Sequence, residues 1–336
     1  MEYRNFGSSD LKVSAIGFGC WEMGGQHYGG TDDTEVTRAV HRAIDLGVTL
    51  FDTASNYGFG GSEIVLGKAL GARRKDIVLV SKTCIDWDPV TKTSKFDGRY
   101  STVKRLNEES LKRLGTDHLD LLLIHWPDAD TPIEETMRAL EELRQEGKTR
   151  YVGVSNYTSY ELKEAKKHAP IVANQVGYNL FDRRWEREMF PTARELGVGV
   201  MAYGPMAHGL LTGTFRGDQK FGDQDWRRRG VIFGQTLFGP NLPANVGVVE
   251  KLKGVASELG ISLPRMALAW VLRNPAVTVA LSGCRTVGEI EENVKALEVK
   301  IPSDALARID EIMKGAAGQV DQVPGRHHLP PVAVPA

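Results

Sequence analysis

The stretch "LDLLLIHWPDADTPIEETMRALEELRQEGKTRYVGVSN", Leu119 to Asn156, decides the fold. It opens on a short apolar run, Leu119 to Trp126, that reads as a strand. Ile133, Met137, Leu140 and Leu143 then recur at helical spacing, with acids in the first turn and Lys148 beyond a Gly147 stop. A second apolar run, "YVGVSN", closes the stretch. Strands that alternate with helices in this way imply a parallel sheet.

Outward from that unit the same alternation recurs. "AIGFGC" (15–20), "LFDTA" (50–54), "IVLVSKT" (77–83), "IVANQVG" (171–177), "VGVMAYG" (198–204) and "VTVALSG" (277–283) bring the apolar runs to eight. Eight units in one uninterrupted series favour an α/β fold of the closed (β/α)8 TIM-barrel type over an open doubly wound sheet. The open fold, if it bound a dinucleotide, should carry Gly-x-Gly-x-x-Gly after its first strand. Here Gly17-Phe18-Gly19-Cys20-Trp21 is followed by Glu22, so the fingerprint fails at its last glycine.

A single domain over 1–336 is expected, with its core at about 15–314 and an extended tail at 315–336. Three segments exceed the eight units. The N-terminal "YRNFGSSDLKVS" reads as a hairpin around Gly7 to Asp10, suited to plug the bottom of the barrel. A long loop, "CIDWDPVTKTSKFDGR", follows strand three, and a longer one, Ala207 to Asn245, follows strand seven and reads as a lid.

Composition narrows the partners. Among 336 residues, 42 Lys and Arg balance 43 Asp and Glu, so no global field draws the protein to nucleic acid or a membrane surface. No export signal or eighteen-residue apolar stretch occurs, which predicts a soluble cytoplasmic protein. Cys20, Cys84 and Cys284 are odd in number and far apart, which argues against a disulfide framework or a zinc site. The absence of a His-x-His pair at any strand end argues against a metal-dependent barrel hydrolase.

Side-chain parity locates the chemistry. Counting back from Asp52 gives Leu50 and Val48; from Lys82, Val80 and Val78; from His125, Leu123 and Leu121. Each inward apolar row ends in one titratable residue at the carboxyl end of its strand, where a barrel builds its active site. Asp52, Lys82 and His125 should converge there, with Tyr57 reaching in from the loop after strand two. This set suits carbonyl reduction. A tyrosine, with a pKa of about 10, needs a nearby positive charge to act as an acid at neutral pH. Lys82 would supply it, Asp52 would hold Lys82 charged, and His125 would orient the substrate oxygen.

Asp52, Tyr57, Lys82 and His125, set in "FDTASNYGFGGSE", "VLVSKT" and "LLLIHWPD", resemble the catalytic tetrad of the aldo-keto reductase superfamily, and the resemblance covers nearly the whole chain to about Met313. It implies a nicotinamide cofactor, NADP(H) or NAD(H), bound across the barrel mouth without a Rossmann motif and without a metal. Asp52, Trp21, Ser155, Asn156 and Gln175 would lie around the nicotinamide end, with Tyr203 stacked on the ring. Gly204, Pro205, Met206, Gly209 and Leu211 would contact the pyrophosphate through their backbone. Gly283, Arg285, Glu289, Glu292 and Asn293 would hold the adenosine end, Arg285 favouring a 2′-phosphate. Glu289, where many relatives have glutamine, should oppose that phosphate and pair with Arg285 at i+4.

Trp21, Trp87 and Trp126 are candidate substrate walls, and Asp86 and Asp88 beside Trp87 would suit a polyhydroxylated substrate or be solvated loop acids. The run Arg227-Arg228-Arg229 would bind a substrate phosphate, close over the cofactor or form a solvated turn. The expected activity is hydride transfer between nicotinamide and an aldehyde, ketone or sugar-type substrate, by a monomer or homo-oligomer. The alternative is a cofactor-binding regulatory subunit, as in the β subunits of potassium channels, which share this fold.

Overall fold

Eight parallel strands follow one another in chain order around a closed barrel in the computed structural model, which describes residues 1–25, 32–223 and 225–321. A hairpin of β1 (Tyr3–Asn5) and β2 (Lys12–Ser14) precedes them. The barrel strands are β3 (Ile16–Gly19), β4 (Leu50–Asp52), β5 (Val78–Thr83), β8 (Leu119–Ile124), β9 (Thr149–Ser155), β10 (Ile171–Gly177), β11 (Gly199–Tyr203) and β12 (Val277–Gly283). Between β5 and β8 a second hairpin, β6 (Ile85–Trp87) and β7 (Ser94–Phe96), occupies the segment expected to be a plain loop.

The helices form the outer layer, and their sequences explain why. In the helix Ile133–Gln145, Met137, Ala139, Leu140 and Leu143 are buried, while Glu134 and Glu135 sit in the first turn, where the helix dipole favours acids. Gly147, at φ 74°, turns the chain into β9.

Inside the barrel, Leu50, Val80, Leu121, Leu123, Ala173, Met201, Val279 and Leu281 pack against Phe6, Leu11 and Val13 of the N-terminal segment, so the hairpin does plug the interior. Full burial of such a side chain contributes about 1.5–3 kcal/mol. Gly7 permits the plug to seat: with φ 51°, a Cβ there would lie 1.9 Å from the Gly197 carbonyl oxygen. The expected inward row is correct except at Val48, which joins the outer core. Strand β4 begins at Leu50, after a turn at Gly47 (φ 85°), so strand alternation does not extend back to residue 48.

The long segment after β11 is less irregular than expected. It carries helical turns at Ala207–Thr212, Trp226–Arg229 and Gly239–Asn241, and its last residues already belong to the helix Leu242–Glu258. The start of the C-terminal tail is pinned against it: Thr236 N–H donates to the Gly318 carbonyl, and Asn245 bonds both ways with the Ala317 backbone. The rest of the expected tail lies outside the described residues. No single helix among those described is long and apolar enough to cross a membrane.

Candidate active site

Parallel strands bring all eight carboxyl ends to one rim, where a cleft of about 1170 Å³ opens. At its floor Lys82 is fully buried, and its ammonium donates to Asp52 Oδ2 (2.7 Å), the Thr53 carbonyl (2.8 Å) and the Tyr57 hydroxyl (3.2 Å). Three acceptors match the three N–H donors of an ammonium. Asp52 Oδ1 accepts from Gln175 Nε2 at 2.8 Å. Burial pulls Asp52 up and Lys82 down, each toward its neutral form, and their mutual contact pulls each back toward charge.

Tyr57 reaches the cleft because its loop is fastened on several sides. Gly58, at φ 58°, lies against Gly24, where a Cβ would fall 2.4 Å from the Gly24 carbonyl oxygen. Ser62 donates to the Cys20 carbonyl at 2.7 Å and bonds Thr53 Oγ1 at 2.9 Å. Buried Glu63 takes Ser81 Oγ and Arg113 Nε, tying the helix Gly61–Leu70 to the strand that carries Lys82. Burial holds the Tyr57 phenol well above its usual range, with Asp52 adding to the rise. The sequence reading expected the Lys82 charge to stabilise the phenolate; burial acts the other way and is the largest influence, so the resting group is a protonated phenol.

His125 completes the set, its ring 5.5 Å from that of Tyr57 in an edge contact. Burial first, then the Lys82 charge, pushes it well below 6.5, so the imidazole is neutral. Its Nδ1 is buried with no hydrogen-bond partner, as is Asn56 Oδ1 nearby in the cleft lining. Asp52, Lys82 and His125, picked from strand parity, and Tyr57 from the loop after strand two are thus brought together.

Most residues assigned to the cofactor line the same cleft. Trp21, Ser155, Asn156, Gln175, Tyr203, Gly204, Pro205, Met206, Gly209, Gly283, Arg285, Glu289, Glu292 and Asn293 all do so. Tyr203 rests on Gly177, where a Cβ would come within 3.1 Å of the ring, and its hydroxyl donates to Asn156 Oδ1 at 3.0 Å. Asn156 has φ 63°, a left-handed backbone that asparagine tolerates, and its Nδ2 donates to the His125 carbonyl and to Ser155 Oγ. The amide and hydroxyl groups expected to hold a carboxamide are therefore in place but already engaged: Asn156 with Ser155, Ser155 with the Gln175 carbonyl, and the Gln175 amide with Asp52. Ala207 and His208 also hold left-handed backbone, at φ 48° and 58°, in the turn after Gly204. Such conformations cost about 1–2 kcal/mol per residue.

Several assignments need correction. Leu211 is fully buried away from the cleft lining, and its N–H is already spent on the Met206 carbonyl at 3.0 Å. Trp87 also lies outside the lining; it donates to the Ser55 carbonyl at 3.2 Å and packs on Phe59, propping the Tyr57 loop. The wall expected of Trp87 is supplied by Ile85 and Phe96 beside Trp126. Asp86 pairs with Arg105 at 2.9 Å and Asp88 accepts from the Val90 and Thr91 backbone, so neither marks a sugar site.

Glu289 does not pair with the Arg285 guanidinium. Its carboxylate accepts from the Arg285 and Thr286 backbone N–H groups, closing a capping box on the helix Val287–Val294. Arg285 is exposed and makes no ion pair among the described residues. Glu292 is engaged by Arg265 (2.5 Å) and Ser262 (2.7 Å). In the basic run, Arg227 pairs with Asp225 and Arg228 with Asp223.

Sequence reasoning missed Glu22, Asn56, His208, Trp226 and Phe233, all in the cleft lining. Trp226 and Phe233 come from the long segment after β11 and lay an aromatic cover over the floor: Trp226 lies 4.8 Å from Trp21, and Phe233 lies 5.8 Å from Trp126 and 5.4 Å from Tyr203. No group of three or more metal-ligating side chains occurs among the described residues.

Comparison with known proteins agrees with this geometry. A model of the Aldo/keto reductase family matches residues 15–314. Aldo-keto reductase YhdN of Bacillus subtilis (strain 168) is 36% identical over 293 residues, covering 87% of each chain. A probable voltage-gated potassium channel subunit beta of Oryza sativa subsp. japonica is 35% identical, covering 89% of this chain and 92% of its own. The NADH-specific methylglyoxal reductase of Escherichia coli (strain K12) is 33% identical, covering 90% and 95%. The solved glycerol dehydrogenase of Gluconobacter oxydans superposes with a TM-score of 0.85 at 31% identity, over 95% of this chain and 97% of that one. The chain belongs to the aldo/keto reductase family and is a nicotinamide-dependent oxidoreductase acting between carbonyl and alcohol groups.

Proposed function

We propose that Tyr57 is the proton donor to a substrate carbonyl, and that the cleft holds the dinucleotide between Tyr203 at one end and Arg285 at the other. The observation that carries this reading is the buried Lys82 ammonium, bonded at once to Asp52 and to the Tyr57 hydroxyl. The Tyr203 ring face, the left-handed Gly204 and the unpaired Arg285 suit a long anionic ligand carrying a flat ring. When bound, the dinucleotide supplies the hydride.

The residues of the floor handle the proton. A carbonyl oxygen placed between Tyr57 and neutral His125 accepts a hydrogen bond from each, and the imidazole polarises it without competing as an acid. The Tyr57 hydroxyl passes its proton to that oxygen as negative charge develops there. The phenolate left behind keeps Lys82 at 3.2 Å, and Asp52 keeps Lys82 charged. Trp21, Trp126, Trp226 and Phe233 exclude water and give the substrate apolar walls. Substrates are small aldehydes or ketones, and both NADH and NADPH serve. Three buried free thiols suit a reducing compartment, which we take to be the cytoplasm.

Tyr57→Phe keeps the ring and removes the transferable proton. Single-turnover reduction should slow by roughly 10²- to 10⁴-fold while dinucleotide affinity stays nearly unchanged. A wild-type rate in this variant would sink the assignment. A regulatory role is a second reading, favoured by the identity to the rice channel subunit. Turnover of soluble carbonyls by the isolated chain separates the two.

A further inference from the structure

Glu22, the residue that broke the glycine fingerprint, lies inside the cleft. It sits in the helical turn Trp21–Gly24 after β3, and its carboxylate lies flat against Gly283 at the end of β12, where a Cβ would fall 2.1 Å from Oε1. A side chain at 283 would displace the carboxylate from this position. Among the described residues the Glu22 carboxylate has a hydrogen bond from its own backbone N–H and no ion pair. The other acids of the cleft lining are engaged elsewhere among the described residues: Asp52 holds Lys82, Glu289 caps a helix and Glu292 holds Arg265.

Its surroundings place it midway along the site. Arg285 and Glu289 act on it from the segment after β12 and Arg227 from the loop after β11, while Tyr57 and Cys20 at the floor, and Cys284 beside Arg285, feel its charge. Arg285 and Glu289 oppose each other, and Arg227 is committed to Asp225. Glu22 is half-buried, and the loss of water around its carboxyl inside the cleft outweighs these charges and pushes it up to about 7. Glu22 lines the same cleft as the catalytic floor and Arg285, so the bridging phosphates of a dinucleotide spanning the two would pass close to it.

We propose that Glu22 is a proton-linked cofactor-binding residue: it becomes neutral when the dinucleotide enters, so that binding takes up a proton and weakens as pH rises. As an anion it would repel the phosphates, whereas as a neutral acid it can donate to one of their oxygens. The inference rests on the dinucleotide reading of the cleft. The other titratable groups that face Glu22 do not imitate the effect near neutral pH. Burial raises Cys20, Tyr57 and Cys284 well above their usual values.

The sign follows from linkage. Well below pH 7 Glu22 is neutral in both states and affinity is flat. Above it the free protein must first bind a proton, so the dissociation constant rises by up to tenfold per pH unit, about thirtyfold between pH 6 and 8.5 for a group titrating at about 7.

The test is titration of tryptophan fluorescence with NADH and NADPH from pH 6 to 9 in wild type and Glu22→Gln, with calorimetry at pH 8.5 in two buffers of different ionisation enthalpy to count protons. NADH is the cleaner probe, because a 2′-phosphate titrates on its own account near pH 6. Wild type should lose at least tenfold in NADH affinity and take up close to one proton, whereas Glu22→Gln should change less than twofold and take up none. Flat wild-type affinity without proton uptake, or an unchanged slope in Glu22→Gln, overturns the role of Glu22 alone. If neither dinucleotide binds at any pH, the reading of the cleft falls with it. The wild-type proton count stands by itself should the variant fold poorly.

Discussion

Replacing Lys82 with methionine keeps the aliphatic stem and removes the charge at the centre of the floor. Asp52, only 3% exposed, then loses its closest partner, and the Thr53 carbonyl loses its 2.8 Å donor. Removing one member of a buried ion pair costs about 3–5 kcal/mol because the other charge is left in a medium that solvates it poorly. The cost depends on pH in a way the geometry fixes. With Lys82 gone, burial raises Asp52 opposed only by the Gln175 hydrogen bond, so its folded-state pKa stands further above its unfolded value. A group raised in this way favours the folded state most below its unfolded pKa, and that contribution is lost as pH rises through the folded value. The penalty of Lys82→Met should therefore be smaller at pH 5 than at pH 8, and Lys82→Met/Asp52→Asn should recover much of the loss at pH 8.

Activity responds separately. Without the ammonium at 3.2 Å the Tyr57 phenolate has no counter-charge, so reduction at neutral pH should fall by roughly 10²-fold or more even where the variant is fully folded. Thermal melts at pH 5 and pH 8 give the stability arm, and single-turnover rates on folded protein give the other. Equal melting temperatures for Lys82→Met and wild type at both pH values would mean that the Asp52–Lys82 pair is energetically idle. A normal rate would mean that Tyr57 does not use Lys82.

Two further outcomes follow from the rim. Hydrogen exchange from Trp226 to Asn241 should slow when NADPH is added, since the ligand would give this aromatic cover a second surface to pack on; equal exchange in both states removes its role as a lid. Glu289→Gln should raise the preference for NADPH over NADH from under about tenfold, because the capping box survives with glutamine while a negative charge near Arg285 disappears; an unmoved ratio of dissociation constants would show that Glu289 does not face the adenosine ribose.

What the sequence disclosed and what it hid divide along a physical line. Strand alternation is local and strict, so the row ending in Lys82 could be read to its last residue, and the row ending in Asp52 failed only where β4 had not yet begun. The Glu289 error was avoidable: Thr286-Val287-Gly288-Glu289 is a capping-box sequence, and a carboxylate held by two backbone donors is unavailable to the guanidinium four residues back. Trp87 and Leu211 were misplaced for a different reason. Their neighbours in sequence do line the cleft, but a hairpin at 85–96 and a helical turn at 207–212 decide which side chains face it, and neither has a strong periodic signal.

Glu22, Trp226 and Phe233 lay beyond any local reading, because each is defined by contacts with segments far away in the chain. Glu22 meets Gly283, and Phe233 meets Trp21, Trp126 and Tyr203. The barrel is fixed by repeating pattern and three of its tetrad by parity, whereas the cover and the middle of the cleft are assembled by loops whose partners only the closed barrel brings together. The Glu22 carboxylate against Gly283 belongs to this loop-built part of the cleft, which is why its proposed part in cofactor binding has no signature in local sequence.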